Sequence, residues 1–557
     1  MPTLIAPRIK SNPWVVLLVL TLGFFMILLD TTVVNVAVPD MENGLHAGFD
    51  QILWVLNGYI LVYAVLLITA GRLGDMLGPK RLFMAGLVLF TLASAASGLS
   101  QNAGELILFR ALQGVGGALL TPQTLAILPS IFPPERRGAA FGVWGAVMGL
   151  AAIIGPTLGG LLVTDFGWPS IFFINVPIGA LALVASVFLM PEVRSHRSHQ
   201  LDLIGVVLAS AGLLSLVYAL VEGQTFSWGP ITSFAAFSLG STRWSLISIY
   251  SLILLGGALL ATFVWWETHA EEPLLPLSLF SDRNFSASNL VGAAISFTMA
   301  GMFLPITIFL QSALGMSAVH AGLTMVPMSL AILVGSPLAG RLSDVINGKY
   351  LIMGGVAVAA VGMGVLIQSL SLANTSWNIT IPFLVIGLGM GFVFAPLTTL
   401  AMRDVNPAFS GAASGFLTAS RQVSMAMGSA VIGSVLATGV ARQLPLEAAQ
   451  LASRVPASLR HHFLAGFQTS SHGALDFGAG QTHATLPPGT APAVMHHLAL
   501  VGQEIFGGAF LAATRPSLLV AAGALVLGVM FAVLLRGGHS AEASRAEVVE
   551  PLVELAG

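Results

Sequence analysis

The sequence contains no cysteine, and only 8% of its 557 residues are Asp, Glu, Lys or Arg. The first absence excludes disulfides, iron–sulfur clusters and thiolate metal sites. The second excludes a soluble chain of this size, because so few charges cannot cover a water-facing surface. Lys and Arg number 22 against 24 Asp and Glu, a formal net charge of −2, so bulk charge points to no nucleic-acid partner. A phosphate-binding loop is also missing. Gly387-Leu388-Gly389-Met390-Gly391 lies within an apolar run and reads as a closely packed helix segment. No ATP site, catalytic residue or cofactor is therefore expected, and active work has to draw on an ion gradient such as that of protons.

What the chain has instead is long apolar runs. Hydrophobic residues make up 56% of it and the mean hydropathy is +0.89, the composition of an integral membrane protein whose surroundings are the lipid bilayer. At about 20 apolar residues per span, fourteen spans are expected, at 14–37, 52–71, 82–100, 105–128, 138–162, 170–190, 203–221, 244–266, 285–311, 320–340, 350–369, 379–400, 411–439 and 516–536. Arg8 and Lys10 precede the first run, but no small-residue cleavage site follows, so it reads as a span and not as a signal peptide. Pro230–Ser241 is apolar enough for a re-entrant or surface helix.

Positive charge tests that count, since short cytoplasmic loops collect Lys and Arg. Arg8 and Lys10, Lys80 and Arg81, Arg136 and Arg137, Arg194 and Arg197, Arg283, Arg341 and Lys349, Arg403 and Arg536 all fall on one side; Arg243 alone breaks the pattern. Both termini are then cytoplasmic. The connection 441–515 lies on the other side, is rich in Pro, Gly, Ala and His, and reads as an external subdomain or hairpin able to receive an extracytoplasmic partner. The adjacent pairs His461-His462 and His496-His497 lack metal-ligand spacing and an accompanying acidic cluster, so a polar surface is expected there and no metal site.

Two segments nearly repeat each other. Gly71-Arg72-Leu73-Gly74-Asp75 and Gly340-Arg341-Leu342-Ser343-Asp344 each follow a long apolar run. Glycine permits close helix approach, and Asp and Arg in a short turn can engage helix ends, so each segment is a candidate latch between two rigid bundles. Their separation leaves room for two helices beyond the six that one half needs. The expected architecture is all-α and polytopic: a six-helix bundle over 1–200, two inserted helices over 201–275, and a second six-helix bundle over 276–557 that includes the long connection 441–515.

Ionisable groups inside the spans are the functional candidates. Asp30 sits in an otherwise apolar run, where alternate wetting and drying would change its protonation; the alternative is a permanently paired structural carboxylate. Arg110 and Gln113 share one helical face and suit a carboxylate partner. Arg421 and Gln422 form a second polar spot, in which helix packing is an equal reading. Glu222 and Glu267 stand near helix ends and are assigned to surface or lipid contact. Met299, Met302, Phe303, Met325 and Met328 are candidates for a soft apolar cavity, with ordinary packing as the alternative for each.

Several ordered segments carry a family resemblance. Leu29 to Pro39 (LDTTVVNVAVP), which contains Asn35, resembles a first-helix motif of fourteen-helix exporters. Gly71 to Arg81, including Gly78, Lys80 and Arg81, resembles the loop between the second and third helices; Met76 and Pro79 depart from usually basic positions, leaving the charge to Arg72, Lys80 and Arg81. Arg110 to Ala118 resembles a fourth-helix motif whose Arg is associated with proton coupling. Gly155-Pro156-Thr157-Leu158-Gly159-Gly160 resembles the antiporter motif of the fifth helix, and Trp168 to Gly179 (WPSIFFINVPIG) is also similar. On these residues the chain resembles the fourteen-helix drug:proton antiporter-2 family (EmrB/QacA type) of the major facilitator superfamily, across nearly all of 14–440 and the last helix. The resemblance implies a multi-pass plasma-membrane carrier, in bacteria an inner-membrane one. It would export amphipathic, hydrophobic or cationic small molecules in exchange for protons by alternating access, with Asp30, Arg110 and Gln113 in coupling and Asn35 added to the candidate cavity. A different class stays open: a lipid or envelope-precursor flippase working with a partner docked on 441–515.

Overall fold

The computed structural model describes residues 12–192, 201–231, 237–239, 242–244, 247–372, 376–469 and 492–537. Among them are fourteen helices long and apolar enough to cross a membrane. In chain order these are α1 (Pro13–Val36), α2 (Phe49–Leu77), α3 (Pro79–Gly98), α4 (Ala103–Ile131), α5 (Pro134–Phe166), α6 (Ser170–Leu189), α7 (Leu203–Glu222), α8 (Ile249–Glu267), α9 (Arg283–Ile308), α10 (Ala318–Ser343), α11 (Gly348–Ser369), α12 (Ser376–Met402), α13 (Ser410–Leu451) and α14 (Pro492–Val533). Helix starts are capped by short polar side chains that take up otherwise orphan amides: Asn12 accepts from Trp14 N, Asn102 from Glu105 N and Asp282 from Phe285 N. The link between α2 and α3 is the single residue Gly78, whose φ of +95° suits only glycine, and Pro79 follows at the first position of α3, where no amide is needed.

Packing repeats itself between the halves. α1 packs on α5 and α6, α2 on α4, and α3 on α4 and α6; the same pattern holds for α9 with α13 and α14, α10 with α12, and α11 with α12 and α14. Two cores fill the first bundle and one fills the second. The bundles meet through α5 on α10 and α2 on α13, which are equivalent contacts under the repeat. The inserted pair α7–α8 leans on α2 and α13, and a further core combines Leu67 of α2, Leu213 of α7, Phe263 of α8, Leu275 of the connector, Phe285 of α9 and Ala413 of α13. Leu92, Leu181, Phe188, Leu254 and Leu519 project outward, as a lipid-facing surface requires.

The structure corrects three expectations. Around Pro230–Ser241 it has a two-stranded antiparallel hairpin, Phe237–Leu239 with Thr242–Trp244, and no re-entrant helix among the described residues. The connection 441–515 is mostly a continuation of spans: α13 runs on to Leu451, a short helix covers Ala457–Thr469, and α14 begins at Pro492. Leu444 and Ala448 pack in one core with Val501 and Ile505, so apolar contact prolongs both helices where composition suggested a loop. Glu222 and Glu267 are 6% and 4% exposed and so do not face lipid or water. Arg8, Lys10, Arg194, Arg197 and the stretch 470–491 lie outside the described residues.

Candidate functional site

Asp30, toward the end of α1, is 1% exposed and accepts three hydrogen bonds. Arg110 Nη1 on α4 donates to Oδ2 at 2.5 Å and to Gln113 Oε1 at 2.8 Å, while Gln113 Nε2 donates to Asp30 Oδ1 at 2.8 Å. Asn175 Nδ2 of α6 donates to Oδ1 at 3.0 Å and also to Ser94 Oγ of α3. Arg110 Nε donates to the Val55 carbonyl of α2 at 3.2 Å, and its guanidinium carbon lies 4.3 Å from the Tyr59 ring centroid. Five helices thus hold one buried ion pair. Removing either member would leave an uncompensated charge costing about 3–5 kcal/mol, whereas protonating Asp30 neutralises the carboxylate and loosens its hold on Arg110. Chemically the cluster is a carboxylate and a guanidinium paired out of water, with two side-chain amides completing the carboxylate's hydrogen bonds.

The repeated segments form two matching contacts between the bundles. Asp75 at the end of α2 accepts from the amides of Gly411 and Ala412, in the first turn of α13, at 2.7 and 2.9 Å. Asp344, just after α10, accepts from Gly138 and Ala139, in the second turn of α5, at 2.9 and 3.1 Å. Carboxylates beside helix starts are favourable through charge-assisted bonds and the helix dipole. Burial pushes the Asp344 carboxyl up from its ordinary range while the amides of Ala139 and Gly138 pull it back. Gly71 faces the Gly411 carbonyl and Gly340 faces the Gly138 carbonyl, where a Cβ has no room. The basic residues behave differently. Lys80 Nζ caps α6 at the Val187 and Met190 carbonyls, Arg81 and Arg341 are exposed, and Arg72 is 2% exposed with Nη2 3.9 Å from Glu272 in the α8–α9 connector. Arg72 also stands 6.0 Å from the Phe409 ring centroid, just before α13, whereas Lys80, Arg81 and Arg341 are not placed between the bundles, where the Asp and Gly positions make the contact.

The profile of the Major Facilitator Superfamily matches residues 20–429. The chain belongs to the major facilitator superfamily. Among its superfamily relatives, an uncharacterized transporter of Mycobacterium tuberculosis (strain ATCC 25618 / H37Rv) is 40% identical over 435 residues, covering 78% of this chain and 72% of the relative. The tetracenomycin C resistance and export protein of Streptomyces glaucescens is 34% identical over 445 residues, 79% of each chain. The crystal structure of a human organic anion transporter matches the fold with a TM-score of 0.59 at 12% identity, over 94% of this chain and all of that one. Fourteen spans and a resistance and export relative agree with the fourteen-helix branch of the superfamily that the motifs resemble.

The remaining candidates divide. In this superfamily member α5 runs unbroken through Gly155-Pro156, Gly155 lies against Thr32 and Gly159 against Val33, both on α1, while Gly160 has open space beside it. The antiporter segment therefore packs on the helix that carries Asp30, two residues from it. Asn35 is exposed and its Nδ2 donates to the Thr31 carbonyl. Met299, Phe303 and Met325 are partly buried against the second bundle's core. Met302 and Met328, at 0% and 2% exposure, are inside that core and do not line a cavity. Arg421 and Gln422 are partly exposed. Sequence reasoning missed Asn175, Ser94 and Tyr59; the signal available was a lone Asn in the apolar segment IFFINVPIG.

Proposed function

We propose that the chain is a proton-coupled exporter of amphipathic small molecules that works by alternating access. The bundles α1–α6 and α9–α14, within 1–200 and 276–557, rock about a site between them; both termini and the Asp75 and Asp344 contacts lie on the cytoplasmic side. Superfamily membership and a relative named for resistance and export support the direction. The observation that carries proton coupling is the Asp30 cluster, a carboxylate held by Arg110, Gln113 and Asn175 away from water. In a carrier whose bundles move apart, wetting of this cluster changes in each cycle, and with it the balance between protonated and ion-paired forms. Such a group takes a proton from one side and releases it to the other.

The test is uphill transport of an amphipathic dye into proteoliposomes under an imposed pH gradient. Asp30→Asn keeps the size and most hydrogen bonds but does not titrate. The variant is expected to fold, to bind the dye and to exchange it downhill, with gradient-driven accumulation lost. Full uphill transport by a folded Asp30→Asn protein would end the proton-carrier reading.

A further inference from the structure

In the second bundle Arg421 stands deep within a span without an acidic partner among the described residues. Arg421 is roughly 16 Å along α13 from its start, at 1.5 Å per residue. Helices α9, α10, α11 and α12 contain no Asp or Glu at all, and among the described residues no carboxylate is within ion-pair distance of it. Its hydrogen bond, from Nη2 to Thr398 Oγ1 of α12, is 3.4 Å long, and Thr398 itself donates to the Phe394 carbonyl. On the other side Gly292 of α9 leaves bare backbone, where a Cβ would stand 3.3 Å from Nε. Arg110, by contrast, is fully engaged with Asp30, Gln113 and Val55.

The stripe that bears Arg421 starts against the other bundle. Ser414, Thr418, Arg421 and Met425 follow the 4-3-4 spacing of one helical stripe. Ser414 Oγ donates to the Pro122 carbonyl of α4 at 2.8 Å, so the stripe begins in contact with the first bundle. Farther along it opens: Thr418 and Arg421 are partly exposed and Met425 is 41% exposed. A guanidinium set within a membrane span with no carboxylate beside it among the described residues is poorly compensated, and its partial exposure leaves room for an incoming carboxylate to pair with its planar fork.

We propose that Arg421 is the anion-recognising element of the substrate site, so that the exported compounds include amphipathic organic acids whose carboxylate docks on its guanidinium. This rests on the reading of the chain as a small-molecule carrier, and it turns the expected preference for cationic compounds toward anionic ones. The apolar body of the ligand lies along the Met425 end of the stripe, where thioether surface accommodates varied shapes.

Equilibrium binding to purified protein in detergent tests this without any gradient, so failure of proton-driven export leaves the result readable. The probes are dansyl-aminoundecanoate, its methyl ester and a quaternary ammonium with the same apolar body. Wild-type protein is expected to prefer the carboxylate. Arg421→Gln should weaken that ligand about tenfold or more, as losing a charge-assisted pair implies, while ester and ammonium stay within about twofold. Arg421→Lys should recover part of the affinity. Gly292→Ala, which crowds Nε without removing charge, should also weaken the carboxylate selectively, and it serves if Arg421→Gln fails to melt cooperatively. Unchanged carboxylate binding in a folded Arg421→Gln protein, an equal loss of all three probes, or wild-type preference for the ammonium would each overturn the proposal.

Discussion

Asp30 owes its stability inside the bundle to three donors from two other helices, and each donor has its own consequence on removal. Arg110→Lys keeps the charge but cannot serve Asp30, Gln113 and the Val55 carbonyl together, because an ammonium lacks the planar fork. Proteoliposome transport should fall by about tenfold or more, a loss of roughly 1.4 kcal/mol in the coupled step, with the protein still folded; near-wild-type rates would show that charge alone suffices. Asn175→Ala leaves Asp30 one donor short and Ser94 Oγ without its incoming bond. A buried polar group left unpaired costs about 1–3 kcal/mol, so a lower melting temperature and a shifted pH profile of transport are expected together. A lower melting temperature with an unchanged pH profile would make Asn175 a packing residue.

At the scale of elements, the contacts of α2 with α13 and of α10 with α5 are two copies of one device: a glycine that admits the neighbouring backbone and an aspartate that caps its amides. Asp75→Asn and Asp344→Asn each replace a doubly accepting carboxylate by a single carbonyl, and should raise thiol labelling of a cysteine placed at the facing surface near Ser414, the double variant more than either alone. Gly71→Leu and Gly340→Leu should do the same by steric separation. Labelling unchanged by all four substitutions would remove the contacts from the transport cycle. The extended ends of α13 and α14 make a second element-scale case. Each helix has 42 residues, roughly 60 Å at 1.5 Å per residue, twice the bilayer core. Val440 and Leu444 are buried with Ile505 and Ala509 in the bundle's core. Replacing 470–490 by a short linker should preserve export within a few-fold, since shortening a connection changes closure entropy little, whereas a deletion reaching back to 440 should lower the melting temperature.

For the whole molecule, the positive-charge pattern predicts an orientation of the fourteen helices, and the absence of cysteine from the sequence makes that prediction directly measurable. A cysteine at exposed Arg136 should react with an impermeant thiol reagent only from the cytoplasm, and cysteines at exposed Asn43 and Gln503 only from outside. Labelling of position 136 from outside would invert the molecule and with it the side from which Asp75 and Asp344 hold the bundles together. The inserted pair α7–α8 breaks the twofold likeness of the halves, because it fills the seam beside α2 and α13 while no equivalent helix pair stands beside α5 and α10 among the described residues.

The sequence by itself determined the class, the span count and the repeat. Apolar length in a bilayer leaves few alternatives to a helix, and Asp30 and Arg110 stand out because charge is costly there. It also marked Gly71, Asp75, Gly340 and Asp344 as candidates for contact between the halves through their repeat, and the structure supplies the partners, Gly411 and Gly138. Tertiary structure alone decided which polar groups meet. Asn175 and Ser94 are remote from Asp30 in the chain and reach it only because α3 and α6 pack around α1 and α4. Met302 and Met299 look alike as residues, yet a rotation of a few positions about α9 buries one in the core and leaves the other at its edge. The prolonged α13 and α14 were hidden for the same reason: their helicity beyond the apolar runs depends on mutual burial, and burial is a property of neighbours that a linear sequence does not contain.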